Sequence, residues 1–150
     1  MAHFNKGGAG PDPFGSNEYL RSTQDVKKEH YTVSAASVAL EEVNGVADQK
    51  ILMPGEVMAK ITSGPEAGKI GPFQAGATDG RQTAANIVGL EDTFLPWQLL
   101  ERDVEVAVAY ECTAVQGWCT ERDASGARIP LTNATADAMR GVKNLDVLFH

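Results

Sequence analysis

The chain has 150 residues, of which 43% are hydrophobic and 22% charged, the balance of one globular domain with material for a real core. Net charge is −7 and evenly spread: residues 1–50 hold 5 basic and 7 acidic side chains, 51–100 hold 3 and 5, and 101–150 hold 5 and 8. Neutralising phosphates takes clustered cations, so no nucleic-acid partner is expected, and no stretch approaches the ~20 apolar residues of a membrane-spanning helix.

Residues 1–17 are rich in Gly and Pro and bury too little to order themselves, yet they carry Phe4 and Phe14. They hold no apolar run, so no signal peptide is expected. Residues 18–34 (EYLRSTQDVKKEHYTVS) are too apolar at Tyr19, Leu20, Tyr31 and Val33 for a free tail. The expectation is an extended arm over 1–34 that orders on a partner, followed by a β-rich core over 35–150; the plainer alternative is a flexible tail. Residues 35–48 fit a short helix or a strand–turn–strand, and the Asn44-Gly45 turn dipeptide favours the second. Strands are expected within 51–62, 68–74, 84–92, 104–112 and 145–149. In VEVAVAYEC, Val104, Val106, Val108 and Tyr110 alternate with Glu105, Ala107, Ala109 and Glu111, the period of a half-buried strand. Pro54-Gly55, Gly64-Pro65, Gly76 and Asp79-Gly80 punctuate the chain at the spacing of short strands in a sandwich or barrel.

One helix is expected, in LTNATADAMRGV. Thr132 or Asn133 caps its start, Arg140 suits its negative end, and Gly141 is placed to close it in the left-handed conformation. Asn133-Ala134-Thr135 also matches a glycosylation sequon, but the cap is the preferred reading. The fold class is therefore mainly β, barrel-like, with one short C-terminal helix.

No motif carries catalysis. SGPEAGKI (63–70) fails as a phosphate loop, because three residues separate Gly64 from Gly68 and Ile70 follows Lys69. Glu41-Glu42 and Glu91-Asp92 are adjacent pairs whose side chains diverge on a strand, so a solvated face is expected for both. His30 and His150 stand alone and read as surface or interface residues. Cys112 and Cys119 fit no zinc spacing; two reduced thiols are expected, with a local disulfide as the alternative. Neither metal nor cofactor is implied. Trp97, in FLPWQLL, reads as core or as an oligomer contact.

The run ILMPGEVMAKIT, then GKIGPF, then GATDGRQTAANIVGL, resembles the head decoration proteins of tailed bacteriophages, the family of the lambda-type capsid-stabilising protein. The matching positions are Gly55, Val57, Lys60, Ile61 and Thr62; Gly68, Lys69, Pro72 and Phe73; and Ala77, Asp79, Gly80, Thr83, Ala84, Ile87, Val88 and Gly89. The likeness covers roughly residues 27–148 and is carried by 50–92. Residues 94–103 and 117–130 depart from it as insertions. The resemblance implies a β-tulip core and a homotrimer on the outside of an expanded icosahedral head, made in the bacterial host cytoplasm. It implies no enzymatic activity: the protein would bind the major capsid (coat) protein and stabilise the shell against DNA pressure. Its N-terminal arm would add a strand to the coat protein or reach a neighbouring trimer. On that reading Phe4, Phe14, Tyr19, Leu20, Tyr31 and Val33 touch coat or neighbour, and Arg81, Trp97 and Leu99 lie between subunits. The rival expectation is a β-rich carbohydrate- or cell-surface-binding module that displays Trp97 and Trp118. A small hydrolase would need a buried acid–base pair that the sequence does not assemble.

Overall fold

A computed structural model describes residues 18–150. In chain order the elements are β1 (Leu20–Val33), β2 (Glu41–Val43), β3 (Val46–Gln49), β4 (Val57–Lys60), β5 (Ile70–Pro72), β6 (Ile87–Glu91), β7 (Val104–Ala114), β8 (Thr120–Arg122), β9 (Arg128–Pro130), α1 (Asn133–Arg140) and β10 (Asp146–Phe149). The protein is mainly β with one α-helix, as composition and turn spacing predict.

Six strands form a mixed sheet in the order β1-β5-β4-β6-β7-β10, and β1 also pairs with β7. That second ladder closes a ring of β1, β5, β4, β6 and β7. β1 meets β5 in parallel at a single position, Val33 opposite Ile70. Its ladder with β7 is antiparallel and long, from Leu20 opposite Ala114 to Val33 opposite Val104. β10 joins β7 in parallel at Glu111–Ala114, beyond the positions Val108 and Ala109 that pair with β6.

The ring has two buried faces. One cluster draws on every ring strand: Val33, Ile70, Met58, Val88, and the β7 pair Val106 and Val108. That cluster is the ring interior, and Val38, Leu52, Leu95 and Leu99 plug it. The other face of the same strands presents Val57, Ala59, Leu90, Ala109 and Cys112, covered by Ala136 and Met139 of α1 and Val147 of β10. This explains why β4 reads as a continuous apolar run: each fully buried aliphatic side chain contributes ~1.5–3 kcal/mol, whichever face it lies on.

Two glycines are required by geometry. Asn44 and Gly45 take φ of 50° and 79°, the two left-handed positions of a tight hairpin turn between β2 and β3. Gly89 has φ 141°, and a Cβ there would stand 2.1 Å from the Ala109 carbonyl oxygen. The β4–β6 register slips at the same place, with Met58 opposite Gly89 and Ala59 opposite Ile87.

Several expectations change. Residues 20–33 are no arm projecting beyond the fold: they pair with β7 at Leu20, Ser22 and from Lys27 to Val33, and Val33 is a core residue. The boundary drawn at residue 34 therefore cuts through the ring, because β1 supplies one of its walls. Gly141 closes α1 with φ −91°, in the right-handed region, while its N–H reaches the carbonyls of Ala138 and Met139. Thr132 is the cap, accepting from the Thr135 amide. Segment 94–103 is part of the frame, since Leu52 and Leu95 exchange two backbone hydrogen bonds and Leu99 is buried.

Candidate functional site

The structure disperses the residues singled out as contacts. Phe4 and Phe14 lie outside the described residues. Tyr19 is buried over Gly55, and its hydroxyl donates to Asp92 Oδ1 at 2.8 Å while Lys28 Nζ donates to Asp92 Oδ2 at 2.8 Å. Burial first, then that bond and charge, hold the Tyr19 hydroxyl far above the usual phenol range. Tyr19 therefore fastens the start of β1 to the end of β6 and is not displayed. Leu20 packs half-buried on the outer cluster, and Tyr31 packs half-buried against the ring interior. The Tyr31 hydroxyl donates to Glu29 at 2.7 Å, and burial and that bond push its pKa up to about 12.

Two expected inter-subunit residues are internal. Leu99 is 1% exposed and plugs the ring. Arg81 is buried; its Nε donates to Asp79 and its Nη1 to the carbonyls of Ser37 and Pro72. Sequence pattern could not separate a surface arginine from this one, because its acceptors are carbonyls remote in sequence. Trp97 is 48% exposed, so it is not core, and Arg102 stands 5.9 Å from its ring centroid. Trp118 is 54% exposed. Among the described residues, Leu40, Val46, Leu100 and Leu148 are the other large apolar side chains on the surface.

The most extended feature of the surface is β1. Its β7 edge is filled, but among the described residues no strand pairs with its opposite edge from Leu20 to Thr32. The outer edge of β10 is likewise unpaired among the described residues. Such edges present backbone donors and acceptors ready for another chain. β1 is blunted by an irregular stretch between Ser22 and Lys27, where Asp25 has φ 56°, and by the exposed charges Lys27, Lys28 and Glu29. His30 sits on the same strand, 3.6 Å from Glu105.

The buried charges were not legible in advance. Glu56 and Arg122 are both fully buried and pair through Arg122 Nε. Arg128 Nη1 reaches Glu56 Oε2 at 3.3 Å, and its Nη2 reaches Glu41 Oε1 at 2.9 Å. Both arginines also donate to the carbonyl of Ile51, at 3.2 and 2.7 Å. These bonds clamp the β8–β9 hairpin and the β2 end onto the start of β4. Of the residues expected on a solvated face, Glu91 is thus inside and Glu41 is half-buried. Glu91 is fully buried; one oxygen accepts from the Thr93 amide and the other has no partner among the described residues. Burial above all, with the Glu56 and Asp92 charges adding to it, holds the Glu91 carboxyl well above the usual range. The alternating pattern of β7 was visible in sequence; the ions were missed because their partners are 66 to 87 residues apart.

This network anchors the fold; Glu41 and Arg128 at its outer end line an open groove of about 480 Å³, while Glu56 and Arg122 are fully buried. Both cysteines are free and buried, and burial pushes both thiols up to about 12, which leaves them unreactive at neutral pH. No grouping of His, Cys, Asp and Glu able to hold a metal occurs among the described residues, and no helix of the described residues is long and apolar enough to cross a membrane. No protein-family model, curated protein or solved structure matches the chain.

Proposed function

We propose that this protein is a phage head decoration protein, a trimer that binds coat protein on the outside of the expanded shell and reinforces it. The observation that carries this reading is where the resembling stretch lies. Residues 50–92 fold as one antiparallel unit, β5-β4-β6, and its shared glycines occupy positions that only glycine fits. Gly55 (φ 91°) packs under Tyr19, Gly80 (φ 108°) against Thr62, and Gly89 against Ala109. Glycine at these positions is thus required by backbone packing in this fold, which supports reading their spacing as more than chance. The unpaired edge of β1 supports a protein-binding role, since backbone pairing gives affinity and alternate side chains give specificity. In a trimer, three such weak contacts combine through effective concentration. Binding only the expanded shell would stabilise it by mass action.

The test is to mix the purified protein with undecorated heads of its phage, before and after expansion, and count bound copies by sedimentation and gel densitometry. Saturation near three copies per three-fold position, on expanded heads alone, is the expected result. Binding to neither form removes the reading. Deleting residues 1–34 would destroy β1 and the ring with it, so the arm is tested by deleting 1–17, which leaves every described strand intact.

A second reading, a glycan-binding module, is supported by the exposure of Trp97 and Trp118. Aromatic faces on a β scaffold stack on sugars, and a glycan array with Trp97→Ala and Trp118→Ala controls separates the two readings.

A further inference from the structure

Most described cations are engaged within the chain. Lys27 pairs with Glu111, Lys28 with Asp92, Lys69 with Glu66 and Asp103, and Arg140 with Asp137. Arg81, Arg102, Arg122 and Arg128 also have acidic partners, and Lys50 donates to the Ala35 carbonyl. Among the described residues, Arg21, Lys60 and Lys143 have no such partner. Two of these, Lys60 at the end of β4 and Lys143 after α1, lie on a single groove of about 470 Å³. Acids outnumber bases 20 to 13 in this chain, so two unneutralised ammonium groups facing one space is an unusual arrangement. With Glu29 on the same wall they leave the groove one net positive charge, on a chain that is acidic as a whole.

The rest of the groove is equipped for hydrogen bonding. Asn86 is fixed by its Nδ2 donating to the Gly80 carbonyl at 2.8 Å, which leaves its Oδ1 free to accept. Asn144, with φ 67°, brings a second amide to the wall, and Tyr110 a phenol. The volume falls within the roughly 300–1,000 Å³ of ligand sites. Glu29 also lines the groove, held by the Tyr31 hydroxyl. A dense polyphosphate would be forced against that carboxylate, and a neutral sugar would leave both lysines unanswered. A peptide with spaced carboxylates answers the lysines, while its backbone pairs with the amides.

We propose that this groove binds an acidic peptide segment of another protein, its carboxylates pairing with Lys60 and Lys143. The site stands on its own geometry and does not depend on the capsid or the glycan reading.

The test uses the full chain labelled with ¹⁵N and titrated at low salt with an acetylated peptide alternating Glu with Gly and Ser. The same peptide with Gln for Glu, an oligogalacturonate and an oligothymidylate are the comparison arms. The expected result is amide shifts gathered around Lys60, Asn86, Tyr110 and Lys143 with the acidic peptide alone, fading as salt is added. The double variant Lys60→Gln, Lys143→Gln should keep its spectrum and bind about tenfold more weakly or worse, the loss of two charge-assisted bonds. Arg21→Gln, an unpaired cation outside the groove, should bind as the unaltered chain does. The proposal is overturned by no shifts, by equal response to the Gln peptide, by an unaffected double variant, or by tighter binding of the sugar or the nucleic acid.

Discussion

The ring interior and the centre of the β8–β9 clamp are both buried, yet they are held by opposite means. Inside the ring, Val33, Met58, Ile70, Val88, Val106 and Val108 touch one another without a polar side chain among them. At the clamp, Glu56 and Arg122 are as deeply buried and are joined by charge and hydrogen bonds. Apolar packing is undirected, so it degrades gradually as volume is lost. A buried ion pair costs several kcal/mol per ion to desolvate and is recovered only when both partners are present. Equal burial therefore predicts unequal tolerance.

The largest effect should come from Arg122→Met, which leaves Glu56 with only Arg128. A loss of ~3–5 kcal/mol in urea unfolding is expected, and pairing it with Glu56→Leu should restore much of that loss. If the double variant is no more stable than Arg122→Met alone, the clamp is not held by pairing. Met58→Ala probes the interior and should cost ~2–5 kcal/mol, whereas Met58→Leu should cost less than ~1.5 kcal/mol. Equal losses for both would mean that the interior, too, depends on a directed contact.

Glu91 sharpens the comparison, being buried like Glu56 but without an arginine on its free oxygen. In the unfolded chain its proton leaves near 4.5, whereas the folded carboxyl keeps it to much higher pH. Over that window the folded state carries the extra proton, so stability falls as pH rises from about 4.5 through the folded pKa. Glu91→Gln should flatten this slope and gain stability at neutral pH; an unchanged profile would show that Glu91 is ionised in the fold. The smallest effect is expected outside both regions, at the α1 cap. Thr132→Ala should cost ~1 kcal/mol, read from the thermal midpoint. A loss as large as that of Met58→Ala would make the cap part of the outer cluster rather than a local device.

Local chemistry was legible in the sequence because it acts over a few residues. Period-two alternation marked β7, Asn44-Gly45 marked the β2–β3 hairpin, and Thr132 with its alanine-rich run marked α1. The glycines of residues 50–92 are local marks of the same kind, since tight backbone approaches such as that of Gly89 to Ala109 admit no side chain. What only the tertiary structure decided was which partner each strand and each charge would take. β1 looked like an arm because aromatic and β-branched residues are mixed with charge there, and its membership of the ring follows from backbone pairing with β7, which leaves no mark on composition. Arg81, Leu99 and Glu91 looked like surface residues for a related reason: burial of a given side chain is set by chain closure over tens of residues. The groove of Lys60 and Lys143 belongs to this second kind, because two lysines 83 positions apart come to line one space only when the ring closes and α1 folds back against it.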